Sequence, residues 1–192
     1  MREFVYYSKS AVTSGNLIKD NLKQAGRMDI VCNVIISTFF ISNMMREDVK
    51  LHLLFDGQPN PPKHLILQSN KDMPISKKDI AGLIKRMLYK SENKEELKEI
   101  YPGCFIEKKS FEKLINELNN SGKNIFLLDK KGKNLREFNF KGNEVFIIGD
   151  HDGFPKDKSK FLKRIDKISV SPKTLFASQV ITLVHNEIDF QE

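Results

Sequence analysis

The chain has only two cysteines, Cys32 and Cys104, too far apart for a local metal-binding motif. They follow no secreted disulfide pattern, so they read as reduced thiols of a cytosolic protein. No apolar run approaches the length of a membrane span, and no lipid-binding helix stands out. The opening Met1-Arg2-Glu3-Phe4-Val5-Tyr6-Tyr7 is strand-like and lacks the build of a signal peptide. There is no internal repeat and no low-complexity tract. These absences leave a cytoplasmic globular protein with no membrane anchor and no metal.

What is present fits that class. A chain of 192 residues buries one sizeable core in one or two domains, and 40% apolar with 30% charged residues is ordinary for it. Lys and Arg number 32 against 25 Asp and Glu, a net charge of +7. That excess points to an anionic partner, nucleic acid before membrane. Lysine-rich surfaces also serve solubility or heat adaptation, so charge alone leaves both readings open.

Periodicity places the elements. Residues 2–7 read as a strand and 8–25 as a polar loop with one short helix. Residues 29–44 form a strongly apolar helix, whose Asp29, Asn33 and Ser37 line a narrow polar stripe. Val49–Phe55 is a strand, the breaker-rich Asp56-Gly57-Gln58-Pro59-Asn60-Pro61-Pro62 a stiff turn, and Lys63–Gln68 the returning strand. Residues 76–89 are the cleanest helix: Ser76 and Asp79 approach a capping box, and Ile80, Leu83, Ile84, Met87 and Leu88 form its apolar stripe. The Glu- and Lys-rich 91–99 reads as a solvated helix or a mobile insertion, broken by Tyr101-Pro102-Gly103. Phe111, Leu114, Ile115 and Leu118 mark a helix ended by Gly122. Ile125 to Leu128 is a short buried strand with residues 129–133 as its exit loop. Residues 144–148 and 167–170 are further strands, and 174–189 closes the chain as a helix.

Alternation of strands and helices from about residue 104 argues for an α/β fold with a parallel sheet between helices. Ligands in such folds sit beyond the carboxyl ends of the strands. Three loops leave those ends, after Leu128, Ile148 and Val170. The second is the most informative stretch of the chain: the apolar Val145-Phe146-Ile147-Ile148 stops at Gly149-Asp150-His151-Asp152-Gly153-Phe154-Pro155. Its glycines let the backbone turn sharply and come close to a ligand. Asp150, His151 and Asp152 invite a metal reading, but three successive side chains are expected to diverge, and none is assigned.

Five blocks in order carry a resemblance: Met1-Arg2-Glu3-Phe4; Gly26-Arg27-Met28-Asp29 with Cys32 following; Gly57-Gln58-Pro59-Asn60-Pro61-Pro62; Phe146-Ile147-Ile148-Gly149-Asp150-His151; and Ile181 with His185-Asn186. Together they resemble the archaeal TrmY family of tRNA pseudouridine N1-methyltransferases, in the SPOUT class, over essentially the whole chain. The resemblance implies one SPOUT domain over 1–192, with a Rossmann-like part at about 1–120 and a cofactor-binding part at about 121–192. It alone implies a C-terminal trefoil knot, S-adenosyl-L-methionine as cofactor, the T-arm of tRNA as partner and a homodimer. The buried-looking helix 29–44 and the apolar face of 174–189 would form the dimer contact.

Methyl transfer from a sulfonium needs no metal and no covalent enzyme intermediate. It needs the nucleophile in line and an acceptor for the pseudouridine N1 proton. The resemblance gives Asp29 that proton and Arg27 the RNA; spacing alone makes Asp29 the N-cap of an apolar helix. It also places Leu128, Gly149, Asp150, Gly153, Ser171 and Leu175 around the cofactor, whereas Leu128 and Leu175 otherwise read as core leucines. His185 reads as a solvent-facing or interface residue, and no nucleophile elbow supports a hydrolase triad with it. Val180 stands where many relatives carry cysteine and is taken as packing. Lys9, Lys19, Lys23, Lys130, Lys131 and Lys133 are phosphate contacts or ordinary solvated lysines. A ribosome-biogenesis pseudouridine N1-methyltransferase acting on rRNA and a non-catalytic RNA-binding protein are the alternatives.

Overall fold

The computed structural model describes residues 1–92 and 94–192. One eight-stranded sheet has the order β4-β5-β3-β2-β1-β7-β6-β8. Its strands are β1 (Arg2–Ser8), β2 (Val49–Phe55), β3 (Lys63–Gln68), β4 (Lys98–Tyr101), β5 (Cys104–Glu107), β6 (Asn124–Asn134), β7 (Glu144–Gly149) and β8 (Asp166–Ser169). The run β2-β1-β7-β6-β8 is parallel. β3, β5 and β4 extend it through antiparallel pairings, so the sheet is mixed.

Helices cover both faces, as strands apolar on both sides require. On one face lie α1 (Met28–Phe39), α2 (Ile80–Tyr89) and α5 (Ala177–Asp189), packed through Met28, Val31, Ile35, Leu83, Met87, Ile181 and Val184. On the other lie α3 (Phe111–Asn120) and α4 (Lys156–Leu162), where Phe111, Leu114, Ile115 and Leu162 meet Val5, Tyr7, Val145 and Ile147. β1 shows the logic in one strand: Phe4 and Tyr6 enter the first core, Val5 and Tyr7 the second. Under α3, Glu3, His52, His64 and Glu107 form a buried polar chain across four strands, each contact 2.8 Å. Lys123 closes its first end at 2.8 Å and Lys109 its last at 2.9 Å. Among the described residues no helix is long and apolar enough to cross a membrane.

Several boundaries differ from expectation. α1 stops at Phe39, and residues 40–45 turn back through a Phe40–Met45 bridge. The apolar pattern runs on past the helix, leaving Ile41 and Met44 exposed. α2 begins at Ile80; Asp79 is its N-cap and no side chain caps it, so the box at Ser76 does not form. The charged segment after residue 90 ends in the edge strand β4 and not in a helix; Asn93 lies outside the described residues. Lys and Glu on an edge strand discourage pairing with another chain. β6 does not stop at Leu128. It loops out and pairs β8 again at Lys133 and Asn134, with Gly132 so close that a Cβ there would lie 2.5 Å from the Lys167 carbonyl carbon. α4 has no counterpart in the sequence reading, because its two apolar residues, Phe161 and Leu162, show no period. α5 starts three residues later than expected, and the Gln179 side chain accepts from the Phe176 N–H at 3.0 Å.

Candidate active site

β1 and β7 run in register to Tyr7 and Gly149, so their following loops lie side by side. The Asp150 carboxylate ties them together. One oxygen accepts from Ser8 Oγ at 2.9 Å and from the Lys9 N–H at 3.1 Å, and the other accepts from the Asp152 N–H at 3.0 Å. Asp150 therefore holds the loop from inside. Gly153 sits at φ +70° with open space above it, where a side chain would both strain the turn and fill the gap. At Gly149 a Cβ would meet the Phe154 ring at 2.9 Å. The turn also brings ligand atoms of Asp150, His151 and Asp152 within 4.8 Å of one another, so the expected divergence of these side chains does not occur. Two of the three are exposed, and the Asp150 carboxylate already holds the loop.

The start of α1 faces the same end of the sheet. Gly26 has φ +64°, and a Cβ there would lie 1.7 Å from the Ser10 carbonyl oxygen. Arg27 follows at φ +61°, among the described residues the one left-handed position that is not glycine. An L-residue held there is strained and points to a functional constraint. The Arg27 guanidinium meets Asp29: Nε donates to Oδ1 and Nη2 to Oδ2, both at 3.0 Å. The helix begins at Met28 with Arg27 at the N-cap and no side-chain cap, so Asp29 lies in the first turn and is not the cap. Arg27 beside it holds its carboxyl below the usual carboxylate range. Both side chains stay partly open to solvent.

Tyr6 joins the two loops. Its ring is buried, and its phenol is pushed well up by burial and by the charges of Asp150 and Asp29. Arg27 in turn feels Asp152. Groups near residues 6, 27–29 and 150–152 thus share one electrostatic neighbourhood. Spacing had no signal for Tyr6, because a strand tyrosine flanked by apolar residues reads as core.

Arg27→Gly is expected to keep the thermal midpoint within about 4 °C of wild type, since relief of the left-handed backbone offsets loss of an exposed ion pair. A larger fall, measured by calorimetry, would mean that the pair is needed to hold α1 in place.

The third loop completes the edge. Leu128 and Val170 are only partly buried against the core, and Leu175 is half-buried. Ser171 Oγ accepts from the Lys173 N–H at 3.1 Å. Lys130 Nζ lies 3.3 Å from Thr174 Oγ1 and links the β6 excursion to this loop. Lys9, Lys19, Lys23, Lys131 and Lys133 are exposed.

His185 is neither solvent-facing nor an interface residue. It is 2% exposed, its Nδ1 accepts from Arg2 Nη1 at 3.2 Å, and its Nε2–H donates to the Thr38 carbonyl at 3.1 Å. Burial, with Arg46 and Arg2 nearby, pushes it down to about 3, so it is a neutral structural group and no general base. A cavity of about 400 Å³ lined by Asn116, Asn119, Asn124 and Arg164 opens at the amino ends of β6 and β8, away from all three loops.

Comparisons with known proteins place the chain in a family. The family model described as "Putative SAM-dependent RNA methyltransferase" matches residues 1–192. The chain is 38% identical over 196 residues to the tRNA (pseudouridine(54)-N(1))-methyltransferase of Methanococcus vannielii, covering 98% of each protein. It is 33% identical over 199 residues to the protein of that name in Methanocaldococcus jannaschii, covering 98% of this chain and 97% of the other. A relative in Photobacterium profundum, named a putative pseudouridine methyltransferase, is 33% identical over 196 residues with 98% of each covered, so kinship is not confined to archaea. The structure of Archaeoglobus fulgidus Nep1 bound to S-adenosylhomocysteine superposes with a TM-score of 0.68 at 13% identity, over 99% of this chain and 98% of that one. That likeness shows a shared α/β fold. Matched by the family model from end to end, and by relatives over nearly its full length, the chain belongs to this family of SAM-dependent RNA methyltransferases.

Proposed function

We propose that this protein methylates N1 of pseudouridine 54 in the T-loop of tRNA, with S-adenosyl-L-methionine as methyl donor. The observation that carries the reading is the strained Arg27, gripping Asp29 beside the Asp150–Gly153 loop, in a chain whose relatives bear that name. The residues present fit the cofactor: partly buried Leu128 and Leu175 side chains for a flat ring, a glycine turn open to close approach, and a hydroxyl at Ser171. Leu128, Gly149, Asp150, Gly153, Ser171 and Leu175 would hold it, the glycines and Asp150 through backbone.

When bound, S-adenosylmethionine supplies a sulfonium methyl; the N1–C bond forms as S–C breaks, and S-adenosylhomocysteine leaves. This chain must hold the base in line and take the N1 proton. Alignment of that kind lowers a barrier by roughly 7–11 kcal/mol. Asp29, ionised and only partly buried, accepts the N1–H, and the guanidinium of Arg27 faces a phosphate or a base carbonyl. The base belongs to an exposed loop, which proteins read by shape and single-strand contacts.

The same reading treats the chain as one domain, with about 1–120 on the RNA side and about 121–192 around the cofactor, in a cytoplasmic homodimer. The re-pairing of β6 with β8 over Gly132 supports threading of the chain end as a trefoil knot.

The test is direct. Purified protein is incubated with S-adenosylmethionine and paired T-arm RNAs, one carrying pseudouridine and one uridine at the same site, and digested nucleosides are weighed by mass spectrometry. A methyl group on the pseudouridine RNA alone is expected. Cofactor binding without methylation of either RNA would point to rRNA, and loss of cofactor binding as well to a non-catalytic RNA-binding protein.

A further inference from the structure

Support for the Asp150–Pro155 loop lies on the far face of the sheet. Phe154, at the loop's end, stacks on Tyr7 with centroids 5.5 Å apart and packs on Phe111 at 5.7 Å. Its other side faces Gly149, where a Cβ would come within 2.9 Å of the ring. Placement of Phe154 therefore sets where the backbone of Gly149 and Gly153 runs.

One turn further on, α4 sends in Lys158. Its side chain is 11% exposed, with Nζ 3.0 Å from Glu112 Oε1 on α3 and 3.5 Å from Asp56 Oδ2 after β2. A third carboxylate, Asp157, is 3.9 Å away. The ammonium also lies over the Tyr7 ring at 5.4 Å and the Phe111 ring at 5.9 Å. The Tyr7 hydroxyl donates to Asp56 Oδ2 at 2.8 Å, so Tyr7, Asp56 and Lys158 form one cluster. A buried ammonium is costly unless carboxylates meet it, and ring faces add to its attraction. Besides Lys158, α4 is attached by the buried Leu162 and by Phe161, whose ring meets Phe111 edge-on at 6.2 Å.

We propose that Lys158 is a positioning residue for the cofactor loop: by joining α4 to Glu112 and Asp56 it presses Phe154 onto Tyr7 and Phe111 and fixes the backbone of residues 149–153. This rests on the reading of that loop as the cofactor wall. Lys158 touches neither cofactor nor RNA.

The test measures S-adenosylhomocysteine binding by calorimetry, steady-state constants for S-adenosylmethionine and RNA, and the thermal midpoint. Lys158→Met keeps the apolar stem and removes the charge. It is expected to raise the Kd and the cofactor KM roughly tenfold, with kcat at saturating cofactor and the KM for RNA near wild type. Lys158→Arg, which keeps the charge, is expected to restore binding. Glu112→Gln, a milder change that leaves Asp56 to the ammonium, is expected to shift the Kd in the same direction by less. Wild-type cofactor affinity in both Lys158→Met and Glu112→Gln overturns the proposal, as does a fall in kcat matching the rise in KM. If the wild-type protein binds no S-adenosylhomocysteine, the cofactor reading itself has failed, an outcome separate from unchanged affinity in the variants.

Discussion

Asp29→Asn is expected to slow methylation of pseudouridine RNA by roughly 10²- to 10⁴-fold at saturating cofactor, the contribution typical of a positioned proton acceptor. The substitution keeps size and shape and removes only the charge that would receive the N1 proton. Fold and cofactor affinity should change little, because Asp29 caps nothing and its pair with Arg27 is partly solvent-exposed. The pH profile gives a second check. Arg27 lowers the Asp29 carboxyl, so the acceptor stays ionised down through the usual carboxylate range and is lost only on further acidification. Activity should therefore show no acid limb from Asp29 between pH 5 and 8. Turnover matching wild type in Asp29→Asn would remove the catalytic role and leave Asp29 as the partner of Arg27.

The protein should lose much of its stability as pH falls from 6.5 towards 3. His185 is buried neutral, and burial lowers it from 6.5 to about 3. Its unfolded form takes up a proton first, so its contribution is complete above pH 6.5 and is lost as pH falls to about 3. Glu3 is opposed by burial but held by His52 and Lys123, which bring it from 4.5 to about 2. Its contribution is complete above pH 4.5 and disappears as pH falls towards 2. Asp189, hydrogen-bonded by Arg46 and Arg2, is lowered to about 2 and acts in the same direction. For the two buried groups the sum is on the order of 8 kcal/mol, comparable with the stability of an ordinary domain. Calorimetric midpoints should begin to fall below pH 6.5 and drop more steeply below 4.5. His185→Gln should flatten the upper part of that curve. A midpoint constant from pH 7 to pH 4 would contradict the buried neutral state of His185.

Much was legible in the sequence because burial leaves a local trace. The strands Arg2–Ser8, Val49–Phe55, Lys63–Gln68 and Glu144–Gly149 are buried on both faces over most of their length, and each ends where a glycine, serine or aspartate begins a turn. The stripe Ile80, Leu83, Ile84, Met87 and Leu88 marked α2, and the glycine-flanked loop after Ile148 marked the strand end where a ligand would sit. Ordered blocks around Gly26-Arg27-Met28-Asp29 and Gly149-Asp150 pointed to the family. Tertiary structure decided the rest, since it depends on partners far apart in the chain. Whether Asp29 caps its helix turns on the left-handed backbone of Arg27, which the tight approach of Gly26 to Ser10 accompanies. Whether His185 titrates turns on its burial and on Arg46 and Arg2, well over a hundred residues earlier. The charged run before Tyr101 becomes an edge strand because Cys104–Glu107 is there to pair with it. Lys158 reads as one more surface lysine until Asp56, Glu112 and Tyr7 close around it. Periodicity reports which side of an element avoids water; which distant group waits on that side follows only when the whole sheet is assembled.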